Sequence, residues 1–211
     1  MLIAVLSIMA LISAALHIRA EYFGPQKHIY LFKPLTMAFI IVMALSLDPI
    51  SDTYKILILI GLLFSVGGDI FLMLPQDRFV PGLVSFLIAH IFYIVAFAVE
   101  GDLPIVLWVA VPLLIFGAGM VAILLPTLGE MKIPVMVYML VILTMGWMAI
   151  GRWLDTEQTG SWLAALGAVL FMASDAVLAY NRFKQPFHLS RLVILGTYFS
   201  AQWLIALSIM R

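Results

Sequence analysis

The sequence contains no cysteine and very little charge. Without cysteine there is no disulfide framework, no thiolate nucleophile and no cysteine-ligated metal, and the redox compartment leaves no mark. Charged residues make up 10% of the chain, against about a quarter in a soluble domain. Neither sign dominates. Eleven Lys and Arg balance eleven Asp and Glu, which removes the basic face that nucleic acid binding needs. No basic stretch precedes the first apolar run, so residues 1–16 read as a first membrane helix rather than a cleaved signal peptide.

What the chain has in abundance is apolar surface. Of its 211 residues 65% are hydrophobic, and the mean hydropathy is +1.18. A soluble core could not hide that much, so the solvent is lipid. A spanning helix needs about 20 mostly apolar residues. Eight stretches qualify: 1–18, 31–47, 55–74, 79–99, 104–125, 133–150, 161–180 and 192–210. The breaks at 21–27, 47–53, 75–78, 100–104, 126–132, 152–160 and 181–191 carry turn residues and charge. No linker is long enough to separate domains. The expected architecture is an all-α, polytopic membrane bundle of about eight transmembrane helices, forming a single domain over 1–211.

Loop charge sets orientation. The odd-numbered loops hold Arg19, Lys27, Arg78, Lys132, Arg182, Lys184 and Arg191, whereas the even loops and the tail hold Lys55, Arg152 and Arg211. The odd loops are therefore expected to be cytoplasmic, with both termini on the opposite side. An offset of 106 residues relates Gly61 to Gly167, Asp69 to Asp175 and Leu72 to Leu178. This fits a four-plus-four parallel repeat, which would put both aspartates at one depth. It also fits chance matching between two helices rich in Gly and Leu.

An ionisable side chain in mid-membrane costs about 2.5–3.5 kcal/mol on insertion scales, which makes each one a functional candidate. Asp69 follows Gly61, Ser65 and Gly68, whose shared face lets another helix approach closely. The bland alternative is an aspartate at the headgroups, capping a turn or paired with Arg78. Asp175 follows Ser174, with Gly167 two turns back. Its alternative is a helix-face pair with Arg182. His90 shares a face with Phe86 and Tyr93 and serves either chemistry or packing. Lys33, before Pro34, reads as the opening of the second helix, either snorkelling or facing a cavity. Tyr198 and Gln202, one turn apart, can hydrogen-bond to a cavity or to another helix. His17 and His28 fall at helix ends, and His188 in a loop. The thirteen methionines read as packing.

The strings Lys33-Pro34-Leu35-Thr36, Gly68-Asp69 with Leu72, Ala89-His90 with Tyr93, Ser174-Asp175 with Leu178-Ala179 and Arg182-Phe183, and Tyr198 with Gln202 occur in order across the eight helices. In these the chain resembles the YhhN-type lysoplasmalogenase family of membrane proteins, over nearly its whole length. The resemblance implies a multi-pass protein of the bacterial inner membrane or its equivalent. It also implies hydrolysis of the vinyl ether of an alkenyl lysophospholipid, giving a fatty aldehyde and glycerophosphoethanolamine or glycerophosphocholine. Its partners would be that substrate and membrane lipid, and no metal or organic cofactor is required.

Such a bond breaks by protonation of its β-carbon, followed by attack of water on the oxocarbenium ion. That chemistry needs one carboxylic acid and one carboxylate, as in paired-carboxylate glycoside hydrolysis. Asp69 and Asp175 are the expected pair, meeting in one water-poor chamber, with either as the acid. His90 would orient one of them or a water. Lys33 and Arg182 would hold the phosphate, with Tyr93 and Gln202 lining the cavity. The main rival is a transporter or flippase with intramembrane carboxylates. An intramembrane aspartyl protease is disfavoured because Val66 stands where its motif has glycine, and a purely structural role for the aspartates is a further alternative.

Overall fold

A computed structural model describes residues 1–99 and 106–210. The chain folds into α1 (Leu2–Phe23), α2 (Gln26–Leu45), α3 (Asp52–Met73), α4 (Phe79–Ala98), α5 (Leu107–Leu124), α6 (Lys132–Thr156), α7 (Thr159–Phe183) and α8 (Ser190–Leu207), with one 3-10 turn at Gly129–Met131 before α6. All eight helices are long and apolar enough to cross a membrane. Helices close their own backbone hydrogen bonds, which is the condition for a segment surrounded by lipid. The 100–104 break, the start of the fifth span at Pro104, and Arg211 lie outside the described residues.

Consecutive helices pack as hairpins, α1 with α2, α3 with α4 and α7 with α8. Helix α8 also touches α1, α2 and α3, whereas among the described residues α5 meets only α6 and α7. The α3–α4 hairpin is tight because α3 presents glycine. A Cβ on Gly61 would stand 2.2 Å from a Tyr93 ring atom, and one on Gly68 would stand 2.5 Å from the Phe86 ring. Small residues at such a contact let two backbones approach in lipid. That approach carries Asp69 inward. At its start α3 is capped by Ser51, whose hydroxyl accepts the Tyr54 N–H at 3.3 Å.

Several helices run past the boundaries expected from charge. Helix α1 continues through His17 and Arg19 to Phe23, because nothing before Gly24-Pro25 breaks it. The 21–27 break therefore shrinks to a two-residue turn, and His17 is fully buried rather than at a helix end. Helix α2 starts at Gln26, so Lys33 and Pro34 lie inside it and not at its opening. Pro34 has no N–H to give. The adjoining turn holds the Phe32 carbonyl, which accepts from the hydroxyls of Ser13 (3.2 Å) and Thr36 (2.8 Å). Helix α6 extends to Thr156 and ends where Glu157 turns left-handed at φ 52°.

Arg152 is consequently not a loop charge. It is buried in α6, donates to the Tyr54 hydroxyl at 3.1 Å and lies over the Tyr54 ring. Tyr54 in turn pairs with Ser208 at 2.7 Å. Nearby, the Ile50 N–H donates to the Ile209 carbonyl, joining the α2–α3 connection to the end of the chain.

Candidate functional site

Asp69, on the glycine-bearing face of α3, is fully buried. Lys33 reaches it from α2, with Nζ 3.0 Å from Oδ1. Tyr198 reaches it from α8 and donates to Oδ2 at 2.6 Å. Both carboxylate oxygens are thereby engaged by groups from other helices. The alternative pairing of Asp69 with Arg78 does not occur. A buried charge of this kind is tolerated only when paired and hydrogen-bonded.

A second polar contact lies alongside. The Tyr93 hydroxyl of α4 donates to the Gln202 carbonyl oxygen of α8 at 2.8 Å. Tyr198 and Gln202 are one turn apart on α8 and face the same interior. The Gln202 Nε2 is buried with no hydrogen-bond partner.

Asp175 occupies different surroundings. It accepts a short hydrogen bond from the Tyr138 hydroxyl of α6. Its neighbour Ser174 donates to the Ile194 carbonyl of α8 at 3.0 Å. Arg182 does not form the helix-face pair with it. That guanidinium grips Asp77, in the α3–α4 turn, at 2.9 and 2.8 Å, and lies 4.1 Å over the Phe79 ring. Each aspartate is thus met by the helix that precedes its own, Asp69 by α2 and Asp175 by α6.

Between the two aspartates runs a row of rings. Tyr198 meets Phe171 edge-on at 5.5 Å, Phe171 meets His90 at 4.6 Å, and His90 meets Tyr138 at 5.2 Å. His90 is fully buried, and both ring nitrogens lack a hydrogen-bond partner. Of the residues expected from sequence, the fold joins Lys33 with Asp69 and Tyr93 with Gln202. It sets His90 among the rings that link Tyr198, on Asp69, to Tyr138, on Asp175, and leaves Arg182 in the last turn of α7.

Tyr138 and His17 were not anticipated. Tyr138 left no signal beyond being a polar-tipped ring in an apolar run. His17 reads from sequence as a helix-end residue, whereas α1 runs on to Phe23 and buries it. A groove of about 410 Å³ runs between α1, α2 and α8, and a smaller hollow of about 250 Å³ sits at the α1–α2 turn; neither is lined by Asp69 or Asp175. Among the described residues, no three His, Asp or Glu side chains converge as a metal site.

The fold and this interior define a multi-pass α-helical membrane protein whose buried acids are held by side chains from neighbouring helices. The chain belongs to the YhhN family, whose model matches residues 28–209. It is 29% identical over 198 residues to "Uncharacterized membrane protein YhhN" of Escherichia coli O157:H7, covering 94% of this chain and 95% of that one. It is 38% identical over 156 residues to Lysoplasmalogenase TMEM86A of Homo sapiens, covering 72% of this chain and 64% of that one. It is 37% identical over 161 residues to Lysoplasmalogenase TMEM86B of Homo sapiens, covering 76% and 66%. No solved structure gives a significant match.

Proposed function

We propose that this chain is a lysoplasmalogenase-like hydrolase that cleaves the vinyl ether of an alkenyl lysophospholipid with Asp69 and Asp175 as its acid–base pair. The observation that carries the reading is the unequal company of the two acids. Asp69 has an ammonium at 3.0 Å and a phenol donating to its other oxygen. Asp175 has a phenol and no cation beside it among the described contacts. Two carboxyl groups in unlike environments are the usual way one site supplies both an acid and a carboxylate.

In this assignment Asp175 gives its proton to the β-carbon of the vinyl ether. The ether carbon becomes an oxocarbenium ion, whose positive charge the Asp69 carboxylate stabilises. Water adds to that carbon and loses a proton to Asp69, forming a hemiacetal. Collapse of the hemiacetal breaks the C–O bond and releases a fatty aldehyde and the glycerophospho-alcohol. The proton returns to Asp175, and His90, between the two halves with free ring nitrogens, is placed to orient the water or carry that proton. Tyr93 and Gln202 line the interior. Lys33 and Arg182 supply positive charge toward the odd-loop end, which we assign to the cytoplasm, for the phosphate of the substrate.

The test is aldehyde release from an alkenyl lysophospholipid by protein purified in detergent, where transport between compartments cannot contribute. Asp69→Asn and Asp175→Asn each abolish release while the protein keeps its helicity and its elution volume. Full activity in either variant refutes the pairing.

A further inference from the structure

The groove between α1, α2 and α8 has no role in the chemistry above. Its α1 wall precedes the residues that the family model matches. It runs from Ile18 and Leu195 to Ser7 and Trp203, and its lining is almost wholly apolar. From Ser7 to Ile18 the helix rises about 16 Å at about 1.5 Å per residue. One leaflet of hydrocarbon is about 15 Å deep, half of a core of about 30 Å. The length suits one lipid chain lying along the helices.

The groove also ends in the right place. Thr36, in its wall, is one turn from Lys33 on α2. Phe199, also in the wall, packs its ring on Tyr198 at 5.3 Å, and Tyr198 holds Asp69. Beyond that end stands Arg191, more than half exposed, in a 2.7 Å pair with Glu21. The far end is shut by the Trp203 indole N–H, which donates to Ser7 at 2.9 Å. An apolar trough thus opens toward positive charge, with Asp69 near the junction. In a single-chain phospholipid that junction is where chain, glycerol and phosphate meet.

We propose that this groove receives the hydrocarbon chain of a single-chain phospholipid, with its headgroup at the end where Lys33 and Arg191 stand. The proposal rests on the hydrolase reading for the kind of lipid, and its test does not depend on turnover. The probe is a non-hydrolysable, saturated alkyl-ether lysophosphocholine bearing a photoreactive group at the chain terminus. Reconstituted wild-type protein is labelled on the peptides containing Ser7 and Trp203.

Gly196 is the place to fill. Gly196 lines the groove and a Cβ there meets nothing within 4 Å, so Gly196→Phe directs a ring into the groove. Labelling of the two peptides then falls roughly tenfold, the effect of losing about 1.4 kcal/mol of contact. Gly196→Ala labels as wild type does, and equal thermal unfolding of all three proteins shows that the fold is kept. Unchanged labelling in Gly196→Phe overturns the proposal, as does equal labelling of the groove by a two-chain phosphatidylcholine probe, which would mark a seat for ordinary bilayer lipid. Groove labelling in a wild-type protein that releases no aldehyde sinks the hydrolase reading and leaves the groove assignment standing.

Discussion

Removing the cation beside Asp69 separates the cost of a buried charge from the cost of a lost hydrogen bond. In Lys33→Met the side chain keeps its length and loses its charge. At 3.0 Å and an effective dielectric of about 20, the attraction lost is about 5.5 kcal/mol. Part of that is offset because the ammonium no longer has to be desolvated. Breaking one partner out of a buried pair costs about 3–5 kcal/mol, and the lower end is expected here because Tyr198 still donates to the carboxylate. Tyr198→Phe removes only a hydrogen bond within the membrane, worth about 0.6 and at most about 1.7 kcal/mol.

The assay is reversible unfolding in mixed micelles for Lys33→Met, Asp69→Leu and the double variant. The double variant recovers most of the loss, because a well-packed apolar pair needs no compensating charge. Additive single losses would mean that Lys33 and Asp69 do not depend on each other and that the ion pair is not what holds the acid in place. Activity moves independently of stability, since the restabilised double variant has no carboxylate at position 69 and stays inactive.

Tyr138→Phe strips Asp175 of its phenol, and turnover falls by about 10²-fold while unfolding shifts by less than about 1.7 kcal/mol. Gly61→Ala drives a methyl into the Tyr93 ring and destabilises the protein by about 1–3 kcal/mol, read by thermal unfolding. His90→Phe keeps a ring among Phe171 and Tyr138 but removes two unsatisfied nitrogens. It should raise stability by about 1–3 kcal/mol and lower kcat by about 10²–10⁴-fold, so unchanged kcat would assign His90 to packing.

The lipid-facing architecture was readable because it is written in composition and in runs of apolar residues, which need no tertiary information. Asp69 was readable for a related reason: Gly61, Ser65 and Gly68 mark one face as the close-packed one before any partner is known. Charge marks the start of α4 after Arg78, whereas α1, α2 and α6 run on through Arg19, Lys27 and Arg152. Arg152 lies within the last two turns of α6, where Tyr54 meets it from a helix nearly a hundred positions earlier in the chain, and local sequence carries no record of that. His17 and Lys33 lie inside helices because α1 runs on to the Gly24-Pro25 turn and α2 starts directly after it at Gln26. Partner choice was equally hidden. Tyr138, not Arg182, serves Asp175, because i to i+7 spacing on α7 says nothing about what α6 presents. Arg182 was taken instead by Asp77 in a turn that the fold brings alongside.

Helix α8 ties the interior together. Tyr198 and Gln202 project to one side, toward Asp69 and Tyr93, while Phe199 turns toward the groove. Tyr198 and Phe199 are also in ring contact, so a chain seated against Phe199 presses on the residue that orients Asp69. Contacts remote from the reacting bond can be used to organise the reacting centre, and substrates that lack them then lose kcat as well as affinity. Shortening the alkenyl chain should therefore lower kcat at saturating substrate. If the groove only anchored lipid, with no connection through α8 to the acid, KM alone would rise. A chain-length series at saturation decides between these, and a flat kcat would uncouple the groove from Asp69.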